Sequence, residues 1–180
     1  TGGTTGIAKG VMITHANLAA NVQQCAAQLH AFAKAQESFL AILPFFHVYG
    51  LTVNLNLPSA LAATVYPIPR YSPADLLRAI HTLRPTIFPG APSIYGSLMR
   101  QKDLASYDIH CLRYLVSGSA PLPQEVQRSF HEMTGAEIIE GFGLTEASPV
   151  THLNPLNGVR KSGSIGLPLP RTDARIVDLA

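Results

Sequence analysis

The stretch LRYLVSG, residues Leu112–Gly118, is a short apolar run that passes directly into small residues. Such a run, ended by a turn signal, is typical of a buried strand. Beyond it, apolar residues recur at helical spacing from Val126 to Met133, and Gly135 ends that helix. The next run, AEIIEGFG at Ala136–Gly143, is again a strand that breaks into glycine. This segment predicts a strand–helix–strand unit with glycine-rich loops at the strand ends.

The same alternation extends toward the N-terminus. Further strands are predicted at FLAIL (Phe39–Leu43), ATVYPI (Ala63–Ile68) and PTIFPG (Pro85–Gly90). One helix carries the apolar stripe Leu18, Val22, Cys25, Leu29 and Phe32, with Asn21, Gln24 and Gln28 facing elsewhere. Other helices are predicted from His47 to about Leu57, from Ser72 to Leu83 and from Pro92.

This order of elements predicts an α/β fold with a mostly parallel sheet, covered by helices on both faces. We expect an α/β core at residues 1–153. Residues 154–180 are rich in Gly, Pro and Arg, and we expect them to be the truncated start of a following β-rich subdomain.

Composition narrows the class of protein. The net charge is +2 and no run of Lys or Arg exists, so a nucleic-acid partner is not expected. No apolar stretch reaches the length of about 18 residues that a membrane span needs. Cys25 and Cys111 fit no zinc or redox motif and are expected to be reduced thiols of a cytoplasmic protein. Only 13% of residues are charged, which fits either a deeply buried fold or surface that further chain covers.

The opening stretch TGGTTGIAKG, Thr1–Gly10, is dense in glycine and threonine and contains one lysine. Its spacing differs from a Walker A loop, because Gly10 rather than Ser or Thr follows Lys9, and it lacks the features of a dinucleotide fingerprint. A generic anion loop remains, with the Thr4 and Thr5 hydroxyls, backbone donors and the lysine charge. The alternative is a surface turn.

The stretch EGFGLTE, Glu140–Glu146, suits a nucleotide. Glycines on both sides of Phe142 let the backbone approach a flat group that stacks on the ring. Thr145 offers a hydroxyl and Glu146 a carboxylate, which beside a phosphate would need a cation such as Mg²⁺. The alternative is a strand end and tight turn with a solvated acid.

Two more stretches follow predicted strands. Small residues in VSGSAPL (Val116–Leu122) permit close approach of a ligand to the backbone, although a plain strand–helix turn looks the same. In PFFHVYGL (Pro44–Leu51), His47 lies among aromatic residues, either as a structural residue or to orient a substrate. Ligands of parallel α/β sheets bind at the carboxyl ends of the strands, so this edge is the expected site.

Taken in order, TGGTTGIAKG, PFFHVYGL, SGSAPL, EGFGLTE and GSIGLPLP (Gly163–Pro170) resemble the acyl-CoA synthetases of the adenylate-forming superfamily. The resemblance spans Thr1 to Pro170, and the long-chain fatty-acid–CoA ligases look nearest. It implies the fold of their large N-terminal domain. It also implies that a carboxylate and Mg·ATP give an acyl-adenylate and pyrophosphate, after which coenzyme A displaces AMP.

The resemblance also implies roles for individual residues. It assigns to the nucleotide site Thr1, Gly2, Gly3, Thr4, Thr5, Gly6, Lys9, Gly118, Ser119, Ala120, Glu140, Gly141, Phe142, Gly143 and Thr145. Phe142 would stack on adenine, where the family more often has tyrosine. The catalytic residues would be Thr145 at the α-phosphate, Glu146 holding Mg²⁺, and Lys9 in the loop for the β- and γ-phosphates. The acyl substrate would lie near His47, Gly118 and Gly143.

Departures from the family pattern refine these expectations. His47 stands where the amino-acid-activating branch has aspartate, which favours a plain carboxylic acid. Candidate residues of the acyl pocket are Phe45, Val48, Leu51 and Val53, and they leave the chain length of the acid open. The family's later TGD motif and C-terminal lysine do not occur in these 180 residues.

We therefore expect a segment of a longer ligase that does not turn over alone. ATP, a fatty acid and coenzyme A are its expected small-molecule partners. We also expect a cytoplasmic location, with peripheral contact at the inner membrane as a further expectation for the longer protein. The alternatives are another adenylating enzyme, such as an aryl-CoA or acyl-AMP ligase, and a non-catalytic nucleotide-binding module.

Overall fold

A single mixed sheet organises residues 7–30 and 32–178, the part of the chain that the computed structural model describes. Its strands are β1 (Ser38–Ala41), β2 (Thr64–Pro67), β3 (Ile87–Gly90), β4 (Tyr114–Ser117), β5 (Glu137–Gly143), β6 (Val150–Leu153) and β7 (Leu167–Pro168). They lie in the order β2-β1-β3-β4-β5-β6-β7. The first five pair in parallel, and β6 and β7 extend the sheet antiparallel. The predicted α/β fold with a mostly parallel sheet is confirmed.

One helix precedes the first strand, and the others connect consecutive parallel strands. The helices are α1 (His15–Gln28), α2 (Val48–Leu51), α3 (Leu57–Ala60), α4 (Pro73–Leu83), α5 (Pro92–Met99) and α6 (Gln124–Thr134). A π-helical segment, Thr52–Asn56, joins α2 to α3, and 3₁₀ turns lie at Leu104–Ser106 and Thr145–Ala147.

Local sequence explains where the longer helices begin and end. Thr14 caps α1 in a reciprocal capping box with Asn17. The Ser72 hydroxyl accepts the N–H of Asp75 at the start of α4. Gly135 ends α6 with a φ of +72°, a backbone conformation that glycine adopts without a steric penalty.

The helix after β1 runs further than the sequence predicts, to Ala60 instead of about Leu57. Its π-helical segment explains the difference, since the Leu57 N–H bonds to the Thr52 carbonyl five residues back. Pro58 follows this segment inside the continuous helical run and has no N–H to donate to the ladder.

Two apolar layers cover the faces of the sheet. Helices α4, α5 and α6 pack on one face, with Ile80, Tyr95 and Phe130 fully buried there. Helices α1 and α3 pack on the other face, where Cys25 and Leu57 are buried. The sheet is therefore covered on both faces, as the alternation predicts.

The C-terminal segment adds to the second layer. Strand β7 pairs with β6, and Leu156 and Leu169 are buried in the same cluster as α1. The proposed subdomain boundary after residue 153 stays a prediction. Within residues 7–30 and 32–178, no helix has both the length and the hydropathy that crossing a membrane requires.

Candidate functional site

A cavity of about 260 Å³ opens where β4 and β5 end, on the face of the sheet that α1 covers. Its wall combines two kinds of residue. Buried apolar side chains form one part: Cys25, Leu29, Phe32, Phe39, Val53, Leu57 and Leu153. Residues of the predicted loops form another: His47, Gly118, Ser119, Gly141, Phe142, Gly143 and Thr145. One space thus adjoins both an apolar interior and three polar strand-end loops.

His47 lies on the exposed rim, just before α2. Its Nδ1 accepts the backbone N–H of Tyr49 at 3.2 Å and so caps the helix. Because Nδ1 acts as the acceptor, the neutral ring carries its proton on Nε2, which can donate to another group. The histidine is therefore both structural and chemically available.

Tyr49 fixes the end of β4 from the α1 face of the sheet. Its hydroxyl donates to the Val116 carbonyl at 2.8 Å and to the Gly90 carbonyl at 3.3 Å. Burial raises the pKa of this hydroxyl well above its usual value, so it stays protonated. A Cβ at Gly118 would lie 3.1 Å from the Tyr49 ring, so a larger residue there would displace the tyrosine.

The segment after β4 turns outward at once. Gly118 is buried, whereas Ser119 and Ala120 are exposed. Ser119 has a φ of +71°, which turns the backbone sharply away from the strand direction. Gly118 and Ser119 line the cavity, whereas Ala120 does not.

Glu140 holds this segment against β5. Its side chain is almost completely buried, and Oε1 accepts the Leu122 backbone N–H at 3.0 Å. The Glu140 carbonyl also accepts the Asn154 backbone N–H and Nδ2. The carboxylate thus ties the loop after β4 to strand β5, and its predicted contact with a nucleotide remains a prediction.

Strands β5 and β6 are joined by the turn that carries Thr145 and Glu146. The Leu144 N–H donates to the Pro149 carbonyl at 2.9 Å and closes this turn. Phe142 is 46% exposed in the cavity wall, so one side of its ring is accessible to a flat ligand. Thr145 lines the cavity, and Glu146 is an exposed residue of the same turn.

The opening loop is described only in part. Thr1, Gly2, Gly3, Thr4, Thr5 and Gly6 lie outside the described residues. Lys9 is exposed in the segment that leads into α1. The predicted contacts of this loop with phosphates therefore stay a prediction.

Sequence reasoning missed most of the apolar wall. Of the four acyl-pocket candidates, Val48 and Val53 line the cavity, whereas Phe45 and Leu51 do not. The sequence predicts Cys25, in α1, and Leu29, at the C-terminal cap of α1, only as part of a core face. Their helical spacing gave no further signal, since a stripe that packs on a sheet and one that borders a cavity look alike.

Mg²⁺ is the metal that the predicted chemistry implies. Among the described residues, no group of three or more His, Cys, Asp or Glu could hold a metal by itself. Mg²⁺ usually keeps several waters and binds through one or two carboxylates plus substrate phosphates. A single glutamate, Glu146, exposed in the same turn as the cavity-lining Thr145, fits that mode.

An open, mostly parallel sheet with a cavity at its strand ends defines an α/β ligand-binding domain. The family model described as AMP-binding enzyme matches residues 1–180, and the chain belongs to that family. A long-chain-fatty-acid–CoA ligase of Bacillus subtilis is 48% identical over 176 residues, covering 98% of this chain and 31% of the relative. The chain thus spans about a third of the length of that relative.

Solved structures agree with this assignment. The ATP-bound RpMatB–BxBclM chimera B3 superposes with a TM-score of 0.83 at 31% identity, over 94% of this chain and 33% of the other. The anthranilate CoA ligase AuaEII in complex with anthranoyl-AMP gives a TM-score of 0.81 at 27% identity, over 88% and 31%.

Proposed function

We propose that this chain forms the nucleotide and acyl site of an ATP-dependent acid–thiol ligase that acts on fatty acids. The observation that carries the proposal is the single cavity in which a buried apolar wall meets glycine-rich strand-end loops. ATP, a fatty acid and coenzyme A are the proposed substrates. The activity belongs to the longer protein, since the chain spans about a third of its relative's length.

The polar rim suits an adenylate. We propose that adenine stacks on Phe142 beside the backbone of Gly118, Ser119 and Ala120. The α-phosphate would meet the Thr145 hydroxyl, and the loop Thr1–Lys9 would hold the β- and γ-phosphates. The ATP-bound and anthranoyl-AMP-bound relatives support such a ligand in this fold.

The first chemical step joins two anions. A carboxylate oxygen of the acid attacks the α-phosphorus, the bond to the bridging oxygen breaks, and pyrophosphate leaves. Glu146 would hold Mg²⁺, which supplies positive charge that offsets the repulsion between carboxylate and phosphate. The backbone donors and hydroxyls around Thr145 add fixed dipoles at the same place. No protein nucleophile is required, because the substrate itself attacks.

The second step transfers the acyl group. Coenzyme A attacks the acyl carbonyl carbon as its thiolate, the thiol proton having passed to solvent; the carbon–oxygen bond to phosphate breaks, and AMP leaves. The Nε2 proton of His47 can donate to the acyl oxygen at the rim, because Nδ1 is already bonded to Tyr49. The acyl chain would lie among Cys25, Phe32 and Leu57, where each buried methylene contributes about 0.8 kcal/mol.

The setting in the cell follows from the proposed substrate. We place the longer protein in the cytoplasm, with peripheral contact at the inner membrane, where a long acyl chain partitions.

Pyrophosphate exchange on the full-length protein tests the proposal. With palmitate and Mg·ATP, the wild type should incorporate labelled pyrophosphate into ATP. Glu146→Gln should reduce the exchange at least about 100-fold, the scale of losing one transition-state electrostatic group. Glu132→Gln, on the exposed surface of α6, is the matched control and should leave exchange unchanged. Exchange that is absent in the wild type, or insensitive to Glu146, would overturn the proposal.

A further inference from the structure

We propose that Asn21 is a positioning residue, whose buried amide holds the turn of Thr145 and Glu146 against α1. The contact is a property of the fold, and its consequence for catalysis rests on the function proposed above. Sequence periodicity placed Asn21 on a side of α1 that faces elsewhere. The structure corrects this, because Asn21 is only 2% exposed.

The amide of Asn21 satisfies both backbone groups of one residue. Nδ2 donates to the Val150 carbonyl at 2.7 Å, and Oδ1 accepts the Val150 N–H at 3.1 Å. The partners are 129 positions apart in the sequence. Nδ2 also donates to Gln24 Oε1 at 3.1 Å, which fixes the orientation of the amide. Only an asparagine-like group offers a donor and an acceptor side by side at this length.

Val150 is the residue at which the turn rejoins the sheet. It pairs with Gly143 across β5 and β6, where the register of the two strands shifts. The hydrogen bonds inside the turn, from Ala147 to Leu144 and from Ser148 to Thr145, fix its shape. They do not fix its place relative to α1, whereas the Asn21 contact does.

Helix α1 is a firm support for this contact. Its N-terminus is capped by Thr14, and Val22 and Cys25, which follow Asn21 on the helix, are buried. The segment that contains Lys9 leads directly into this helix. Asn21 therefore links the element that follows the proposed phosphate loop to the turn that carries the proposed α-phosphate and metal residues.

Two substitutions separate the contacts of the amide. Asn21→Ala removes both bonds to Val150 and leaves its backbone groups without those partners. Asn21→Asp keeps an acceptor for the N–H but sets a carboxylate against the carbonyl. Protonation of that carboxyl restores a donor, and burial favours the protonated form. Gln23→Ala, exposed on the same helix, is the matched control.

The experiment measures hydrogen exchange and the two half-reactions in the full-length protein. In Asn21→Ala, the Val150 amide should exchange at least about tenfold faster than in the wild type or the control. Adenylation should slow at least about tenfold more than thioester formation from supplied palmitoyl-adenylate, with a higher Mg²⁺ requirement. The activity of Asn21→Asp relative to wild type should rise as the pH is lowered.

Each failure has its own meaning. Unchanged exchange in Asn21→Ala overturns the contact itself. Faster exchange with an unchanged Mg²⁺ requirement assigns Asn21 a structural role and overturns its role in positioning. If the wild type forms no acyl-adenylate, the proposed function fails, and the exchange measurement still decides the contact.

Discussion

Replacing Gly143 with alanine tests the tightest backbone approach in the site. A Cβ at this position would lie 2.4 Å from the Pro149 carbonyl oxygen, 2.9 Å from its carbon and 3.0 Å from the Val150 Cα. All three are backbone atoms, so no side-chain rotation relieves the overlap. Restoring ordinary van der Waals contact requires β5 and the returning chain to separate by about 1 Å.

A displacement of that size acts on the turn that carries Thr145 and Glu146. A misplacement of about 1 Å can cost roughly 100-fold in rate, so adenylation by Gly143→Ala should fall by about that factor. The overlap should also lower the free energy of unfolding by about 1–3 kcal/mol. Both quantities are measured on the full-length protein, by pyrophosphate exchange with palmitate and by urea titration.

Gly96→Ala in α5 is the matched control. Its Cβ would lie 3.3 Å from the flexible end of Arg100, and alanine is favoured over glycine in a helix by about 1 kcal/mol. It should keep full activity and equal or greater stability. Adenylation by Gly143→Ala within about threefold of wild type would refute the argument that this contact sets the position of the turn.

Further predictions concern the apolar wall, the strand ends and one surface ion pair. Cys25→Phe should exclude about three methylenes of the acyl chain from the pocket, at about 0.8 kcal/mol each, and so lower kcat/KM for palmitate about 50-fold relative to kcat/KM for octanoate. An unchanged ratio of the two kcat/KM values would contradict the proposed acyl pocket. Burial raises the pKa of Cys25 to about 12. At about pH 8 the Cys25 thiol should therefore react with a disulfide reagent far more slowly than the thiol of free glutathione does, and equal reaction rates would contradict this burial. Tyr49→Phe removes a hydroxyl that is hydrogen-bonded to two strand carbonyls, so it should lower the free energy of unfolding by about 1–2 kcal/mol in a urea titration. An unchanged free energy of unfolding would contradict a stabilising role for these hydrogen bonds. The Arg84 guanidinium lowers the pKa of Asp108. This shift stabilises the fold above the unfolded-state pKa of the carboxyl, and the stabilisation is lost as the pH falls through the lower folded-state pKa. Arg84→Ala should therefore lower the thermal unfolding temperature at neutral pH and lower it less in acid, and a difference that is the same at both pH values would contradict the pairing.

The order of strands and helices could be predicted because each element is specified by residues that are neighbours in the sequence. Short apolar runs such as Leu112–Gly118 and caps such as Ser72 each specify an element from a few neighbouring residues. The position of the strand-end loops followed from the rule for parallel sheets, and His47, Gly118 and Phe142 do line one cavity.

The rest of the site depends on contacts between distant segments. The inward position of Asn21 is set by its hydrogen bonds to Val150, which is remote in the sequence. The periodicity of apolar residues in α1 contains no information on this contact. The antiparallel addition of β6 and β7 depends on tertiary pairing that the residue pattern of each short strand does not specify. The hydrogen bond from the Leu122 N–H to the Glu140 carboxylate could not be predicted either, because a glycine-rich strand end does not determine the direction of its acidic side chain.

A crystal structure of the full-length protein with a non-hydrolysable palmitoyl-adenylate analogue tests the central claim most directly. We predict the adenine ring against Phe142, the phosphate surrogate at Thr145 and the acyl chain beside Cys25. An analogue bound away from these residues, or no binding by the intact protein, would contradict the account.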